Sequence, residues 1–193
     1  MIDEHSSLED VCFAVSTALE SHGTPAVLCG GSAATVYAKD AYTSFDADFV
    51  LDHDDALTDV EPALRSVGFA REGRSRIFSH SRSSFTVDFP KGPLAVGGDY
   101  VRETRVMERN NERLRIVTRT DCVRDRLAHF YHWNDYTALN AAVAVAAADL
   151  ADIDMRLLMD WTAREDPSLL AKFAEFELRL RAYPRIAGSA YES

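Results

Sequence analysis

Apolar residues at Leu8, Val11, Cys12, Val15 and Leu19 form one stripe of a 3.6-residue repeat. Ser7 precedes them as a helix N-cap, Glu9 and Asp10 fill the first turn, and Gly23 follows the last turn. The spacing therefore predicts a capped amphipathic helix. Ala26-Val27-Leu28-Cys29 reads as a short apolar strand between Pro25 and the pair Gly30-Gly31. A helix of short side chains is expected over 32–39. Positions 45–51 alternate apolar and acidic residues, which predicts a strand with Phe45, Phe49 and Leu51 buried on one face. A second amphipathic helix is expected over 56–67, closed by Gly68.

From 76 to 118 the repeat shortens to two. Strands are expected over 76–78, 84–89, 100–107 and 113–118, with turns at Arg82-Ser83, Pro90 to Pro93, Gly97-Gly98 and Asn110-Asn111. Beyond Thr120 the pattern is helical again, near 121–132, 135–149, 153–164 and 168–182, punctuated by Pro167 and Pro184. The expected fold is α+β (α/β): a mixed sheet domain flanked by helices over 1–118, then a C-terminal helical region over 119–193.

Composition narrows the class. At 193 residues and 47% apolar content the chain can bury a core, which excludes disorder. No apolar run approaches the roughly 20 residues that cross a bilayer. Met1 is followed by Ile2-Asp3-Glu4-His5, with no apolar signal segment, and Cys12, Cys29 and Cys122 are odd in number and widely spaced. Those features point to a reducing cytoplasm and against a disulfide framework or zinc cluster. The net charge of −10 is uneven: residues 65–126 hold 14 of the 21 basic residues against eight acids. The acidic excess argues against a broad grip on nucleic acid, while the Arg-rich middle allows one polyanion to be held in one place.

Candidate chemistry sits early in the chain. Asp46 and Asp48 are two apart on a predicted strand, so their side chains leave the same face. Such a pair repels itself unless a cation lies between, and can hold Mg²⁺ ions about 4 Å apart for in-line phosphoryl or nucleotidyl transfer. Phe85-Thr86-Val87-Asp88-Phe89 places a third acid centrally in an apolar strand. Upstream, Gly30-Gly31-Ser32 joins a strand to a helix, where glycines let backbone approach a phosphate and a helix N-terminus offers free N–H groups. Arg74 with Arg76, Arg113 with Arg115, and Arg124 with Arg126 could serve a triphosphate if they converge on the acids, Arg126 being preferred. His129 and His132 lie three apart, but their aromatic neighbours favour packing over zinc. Trp161, Phe173 and Phe176 read as core.

The ordered set of strand, Gly-Gly-Ser, helix, Asp-x-Asp strand, helix and Asp-bearing strand resembles the nucleotidyltransferase superfamily typified by DNA polymerase beta. It is most similar to the bacterial branch of minimal nucleotidyltransferases and AbiEii-like toxins. The likeness is carried by Gly30, Gly31, Ser32, Asp46, Asp48 and Asp88, and more loosely by the helix at 121–128. It implies transfer of a nucleoside monophosphate from an NTP, with two Mg²⁺ or Mn²⁺ ions on Asp46, Asp48 and Asp88. It also implies nucleotide binding by Gly30, Gly31, Ser32, Ser44 and Arg126. The acceptor class stays open among RNA such as tRNA, protein and a small molecule, and an antitoxin partner is a further implication. Two positions depart from the pattern: Tyr42 replaces an Arg four residues before the first Asp, and Arg126 replaces a Lys. Tyr42 motivates the alternative, an inactive nucleotide- or protein-binding module of the same fold.

Overall fold

The computed structural model describes residues 2–39, 41–51 and 57–184. Helix α1 (Leu8–Ser21) begins at a capping box, in which the Ser7 side chain accepts from Asp10 N while the Asp10 carboxylate accepts from Ser7 N. Strand β1 (Ala26–Cys29) leads into α2 (Gly30–Tyr37), then β2 (Asp46–Leu51) and α3 (Leu57–Ser66). The expected start of that helix at 56 lies outside the described residues. Short strands follow: β3 (Phe69–Ala70), β4 (Ile77–His80), β5 (Thr86–Asp88), β6 (Ala95–Val96) and β7 (Asp99–Tyr100). The hairpin β8 (Thr104–Arg109) and β9 (Glu112–Val117) turns at Asn110 and Asn111, both with positive φ as a two-residue hairpin requires. Helices α4 (Arg119–Trp133), α5 (Tyr136–Ala148), α6 (Met155–Glu165) and α7 (Leu170–Ala182) complete the chain, with 3₁₀ turns before α6 and α7.

Seven strands make one mixed sheet in the order β3-β4-β5-β2-β1-β9-β8, and β6-β7 forms a separate hairpin. The β2–β5 and β1–β9 pairs are parallel, and the other pairs are antiparallel. Side chains alternate across this sheet, so Ala47, Phe49, Val87 and Phe89 face the core while Asp46, Asp48 and Asp88 leave the other face. Phe89 packs between Phe49 and Phe78, edge-on to the latter at 5.6 Å. Each ring is fully buried, contributing roughly 1.5–3 kcal/mol. Parallel β1 meets β9 at Leu28 and Ile116. The Arg113 and Arg115 N–H groups bond instead to Thr17 Oγ1 at 2.8 Å and Ser16 Oγ at 3.0 Å, which fixes α1 on the sheet.

Several expectations need correction. The helix after β1 starts at Gly30 rather than 32, so Gly-Gly-Ser is its first turn and not a separate loop. Phe45 is 72% exposed: it stands one residue before β2, its carbonyl already accepting from Thr86 N of β5 but its ring uncovered. The strand expected over 100–107 is split, as β7 pairs back to β6 around Gly97-Gly98 and β8 starts afresh at Thr104. Trp161, Phe173 and Phe176 are core, and one hydrophobic cluster runs from the sheet into the C-terminal helices. Among the described residues no helix is long and apolar enough to cross a membrane.

Candidate active site

The two halves of the expected site are stitched together by three hydroxyls. Ser32 Oγ donates to Cys29 O at 2.8 Å and accepts from Asp48 N at 3.1 Å, tying the first turn of α2 to β2. Thr35 Oγ1, one turn on, donates to Gly31 O and accepts from Ser44 N at 2.9 Å. Ser44 Oγ then donates to Asp46 Oδ1 at 2.9 Å, which orients that carboxylate. Gly30 has φ +64, and a Cβ there would stand 2.7 Å from Asp48 Oδ2. Only glycine permits both the conformation and the approach.

Parallel pairing puts Asp48 directly beside Asp88, and Asp46 beside Thr86, so the three acids share one sheet face. Burial pushes the Asp48 carboxyl up to about 7; the negative charges of Asp46 and Asp88 add to this and Arg126 opposes it. Arg126 comes from α4 across the cavity. Its side chain is 9% exposed, and its Nε and one terminal nitrogen bond Asp125 Oδ2 at 3.0 and 2.6 Å.

A cavity of about 450 Å³ opens over this face. Gly30, Gly31, Ser44, Asp46, Asp48 and Arg126 line it, with Tyr42, Lys91, Asp125 and His129. Two expected residues sit differently. Ser32 is fully buried below the cavity, its hydroxyl committed to backbone, so the structure gives it a bracing place. Asp88 lies behind the lining, and its Oδ1 accepts from Phe89 N at 2.8 Å. Of the paired arginines, only Arg126 reaches the cavity. Arg124 is buried against Asp121 at 2.9 Å, Arg113 pairs with Glu20 at 2.6 Å, and Arg74 and Arg76 are exposed elsewhere. Thr35 and Lys91 had no distinguishing signal in the sequence, since each reaches the site only through the fold. Asp125 stands one turn before His129 on α4, a spacing that does mark one helix face.

The donor chemistry suits a hard divalent cation, because the groups on this face are carboxylate oxygens, and a cation would offset both the burial and the neighbouring negative charges that raise the Asp48 pKa. Among the described residues no three of His, Cys, Asp and Glu are gathered closely enough to be a ready-made ligand group. Asp88 Oδ1 is engaged by Phe89 N, while its charge is near enough to act on Asp48. The Cys29 thiol at the rim is pushed up by burial and by nearby Asp125 and Asp48, which leaves it inert as a nucleophile.

Comparison with known proteins identifies the architecture. An antigenic nucleotidyltransferase-like protein from Paracoccidioides brasiliensis superposes with a TM-score of 0.57, at 13% identity, over 88% of this chain and 93% of its own. The fold is nucleotidyltransferase-like. The antibiotic-resistance factor ANT(2'')-Ia in solution (10% identity, 88% and 95% of the two chains) and its complex with adenylyl-2''-tobramycin (12%, 75% and 95%) reach TM-scores of 0.49 and 0.43. At those values they add nothing to the fold assignment. No protein-family model matches the chain, and no curated protein sequence matches it. In this nucleotidyltransferase-like frame the acidic face of β2 and the first turn of α2 meet at one cavity.

Proposed function

We propose that the chain is a metal-dependent nucleotidyltransferase, moving a nucleoside monophosphate from an NTP to a hydroxyl-bearing acceptor. The carrying observation is the pair Asp46 and Asp48 beside the α2 first turn in one cavity, with Asp88 next to Asp48 in the β2–β5 register. In this reading Asp46 and Asp48 hold Mg²⁺ or Mn²⁺, and Asp88 joins them. Bound there, the ions neutralise the triphosphate and polarise the phosphorus under attack. Gly30 and Gly31 bring backbone N–H groups to the phosphates at the positive end of α2. Arg126, held by Asp125, adds a fixed positive charge on the opposite wall. Ser44 keeps Asp46 aimed into the cavity. The acceptor oxygen bonds to the α-phosphorus, pyrophosphate leaves, and Asp88 takes the hydroxyl proton.

The test is incubation with α-labelled NTPs, Mg²⁺ or Mn²⁺ and cell extract. Label appears on an acceptor with the wild-type chain and not with Asp46→Ala or Asp48→Ala; equal labelling by both variants contradicts the proposal. The nature of the labelled fraction (tRNA, protein or small molecule) names the acceptor. If the acceptor is an essential cellular component, the chain acts as the toxin of a toxin–antitoxin pair. Growth arrest on expression, relieved by Asp48→Ala, supports that role, and harmless expression of an active chain opposes it.

One observation favours a second reading. Tyr42 Oη packs over Gly31, 3.1 Å from where a Cβ would stand, and Asp88 Oδ1 is engaged by Phe89 N. A module that binds nucleotide without transferring it would keep this arrangement. Metal-independent NTP binding with no transfer to any acceptor pool would establish it.

A further inference from the structure

Helix α4 is buried on nearly every side between 121 and 131; the accessible positions are Asp121, Asp125 and His129, four residues apart. All three line the acidic cavity. The next member of the stripe is Trp133, the last residue of the helix and 69% exposed. Its ring centroid lies 5.0 Å from that of His129 and 6.0 Å from that of His132. From Asp125 to Trp133 the helix advances about 12 Å at 1.5 Å per residue. The lining of the cavity ends at His129, and the indole of Trp133 stands one turn beyond it, against the His129 ring. The contrast with Trp161, fully buried in the core, is sharp. The indole is partnered by the His129 and His132 rings and otherwise open to solvent, on the helix face that carries the lining residues.

We propose that Trp133, backed by His129, is a stacking platform for the nucleobase of the bound NTP. This rests on the nucleotidyltransferase reading and adds the base subsite to it. A planar heteroaromatic ring with a phosphate chain fits the polarity of the stripe, because the phosphates meet Arg126 and the metal-binding end while the base meets the rings. Burial and the charge of Arg126 lower the His129 pKa, which favours the uncharged imidazole beside the indole. Stacking reads a π-face rather than a hydrogen-bonding edge, so the platform accepts different bases and favours the larger purines.

Tryptophan emission tests this, because the chain has two tryptophans and only Trp133 is in reach of a ligand. MgATP is titrated into the wild-type chain and into Trp133→Leu, with emission and calorimetry read together. Trp133 is exposed, so the variant keeps its fold. The expected result is an ATP-dependent change in emission that is absent in Trp133→Leu, and an affinity loss of about 5- to 100-fold in that variant. Inorganic tripolyphosphate should bind without altering emission. ATP binding with unchanged emission and equal affinity in both chains overturns the platform and leaves the nucleotidyltransferase reading standing. Emission that responds to a single-stranded oligoribonucleotide but not to ATP overturns it in favour of an acceptor base. No ATP binding by the wild-type chain removes both.

Discussion

The backbone of Gly30 passes so close to Asp48 that a methyl group on it would lie 2.7 Å from the Asp48 Oδ2 oxygen. Gly30 also holds φ +64, where an L side chain is strained by roughly 1–2 kcal/mol. Gly30→Ala is therefore expected to combine that strain with displacement of the carboxylate. Nucleotidyl transfer should fall about 100-fold, as a misplacement near 1 Å does in other enzymes. Gly31→Ala meets the movable Tyr42 hydroxyl at 3.1 Å and Ser44 Oγ at 3.3 Å, so it should lose less, with part recovered in a Tyr42→Phe background. Steady-state transfer rates of the three variants check this order.

Stability without metal should depend on pH through Asp48. Its folded pKa of about 7 stands above an ordinary 3.8, chiefly because of burial, with Asp46 and Asp88 adding. The folded chain then keeps a proton that the unfolded chain releases near pH 4, so this stabilising difference is lost as pH rises from about 4 through 7. Asp48→Asn removes the titration. It should raise stability at pH 8 by roughly 4 kcal/mol while changing little at pH 4, and should abolish any Mg²⁺-induced rise in melting temperature. Urea denaturation of both chains at the two pH values measures this. Unequal gains of the opposite order would contradict it.

Ser32 and Ser44 should separate stability from activity. Ser32 is buried and joins Cys29 O to Asp48 N, so Ser32→Ala leaves two backbone groups without a partner and should cost about 2 kcal/mol of folding stability. Ser44 Oγ touches the Asp46 carboxylate at the cavity wall, so Ser44→Ala should chiefly lower transfer or the affinity for Mg²⁺. Thermal melts alongside Mg²⁺-dependent rates distinguish the two.

Asp125 and Arg126 form a pair in which the arginine is nearly buried. Removing only the acid strands that charge, so Asp125→Ala is expected to cost about 3 kcal/mol, more than Arg126→Met, which removes the buried charge itself. Denaturation midpoints at constant slope decide between these orders.

Most of this layout was legible in the sequence where local chemistry fixes it. The Ser7 cap, the Asn110-Asn111 turn and the Asp46/Asp48 alternation each follow from one or two residues and a period. The strands β3 and β6 are two residues long, too short for any period to show. Phe45 looked like core because alternation does not reveal where a strand begins. The pairing of Asp48 with Asp88 depends on the parallel register of β2 and β5, and the arrival of Asp125 and Arg126 depends on how α4 packs. Neither register nor packing direction is written in local spacing. Ser32 shows the converse: a hydroxyl in the right motif whose bonds are both spent on backbone.

Calorimetric titration of ATP with and without Mg²⁺, into the wild-type chain and an Asp46→Asn/Asp48→Asn double variant, probes the acidic face most directly. Mg²⁺-dependent binding by the wild type that disappears in the double variant is the predicted result. Binding of equal strength in both chains, indifferent to Mg²⁺, would contradict the assignment of these carboxylates to a metal–nucleotide site.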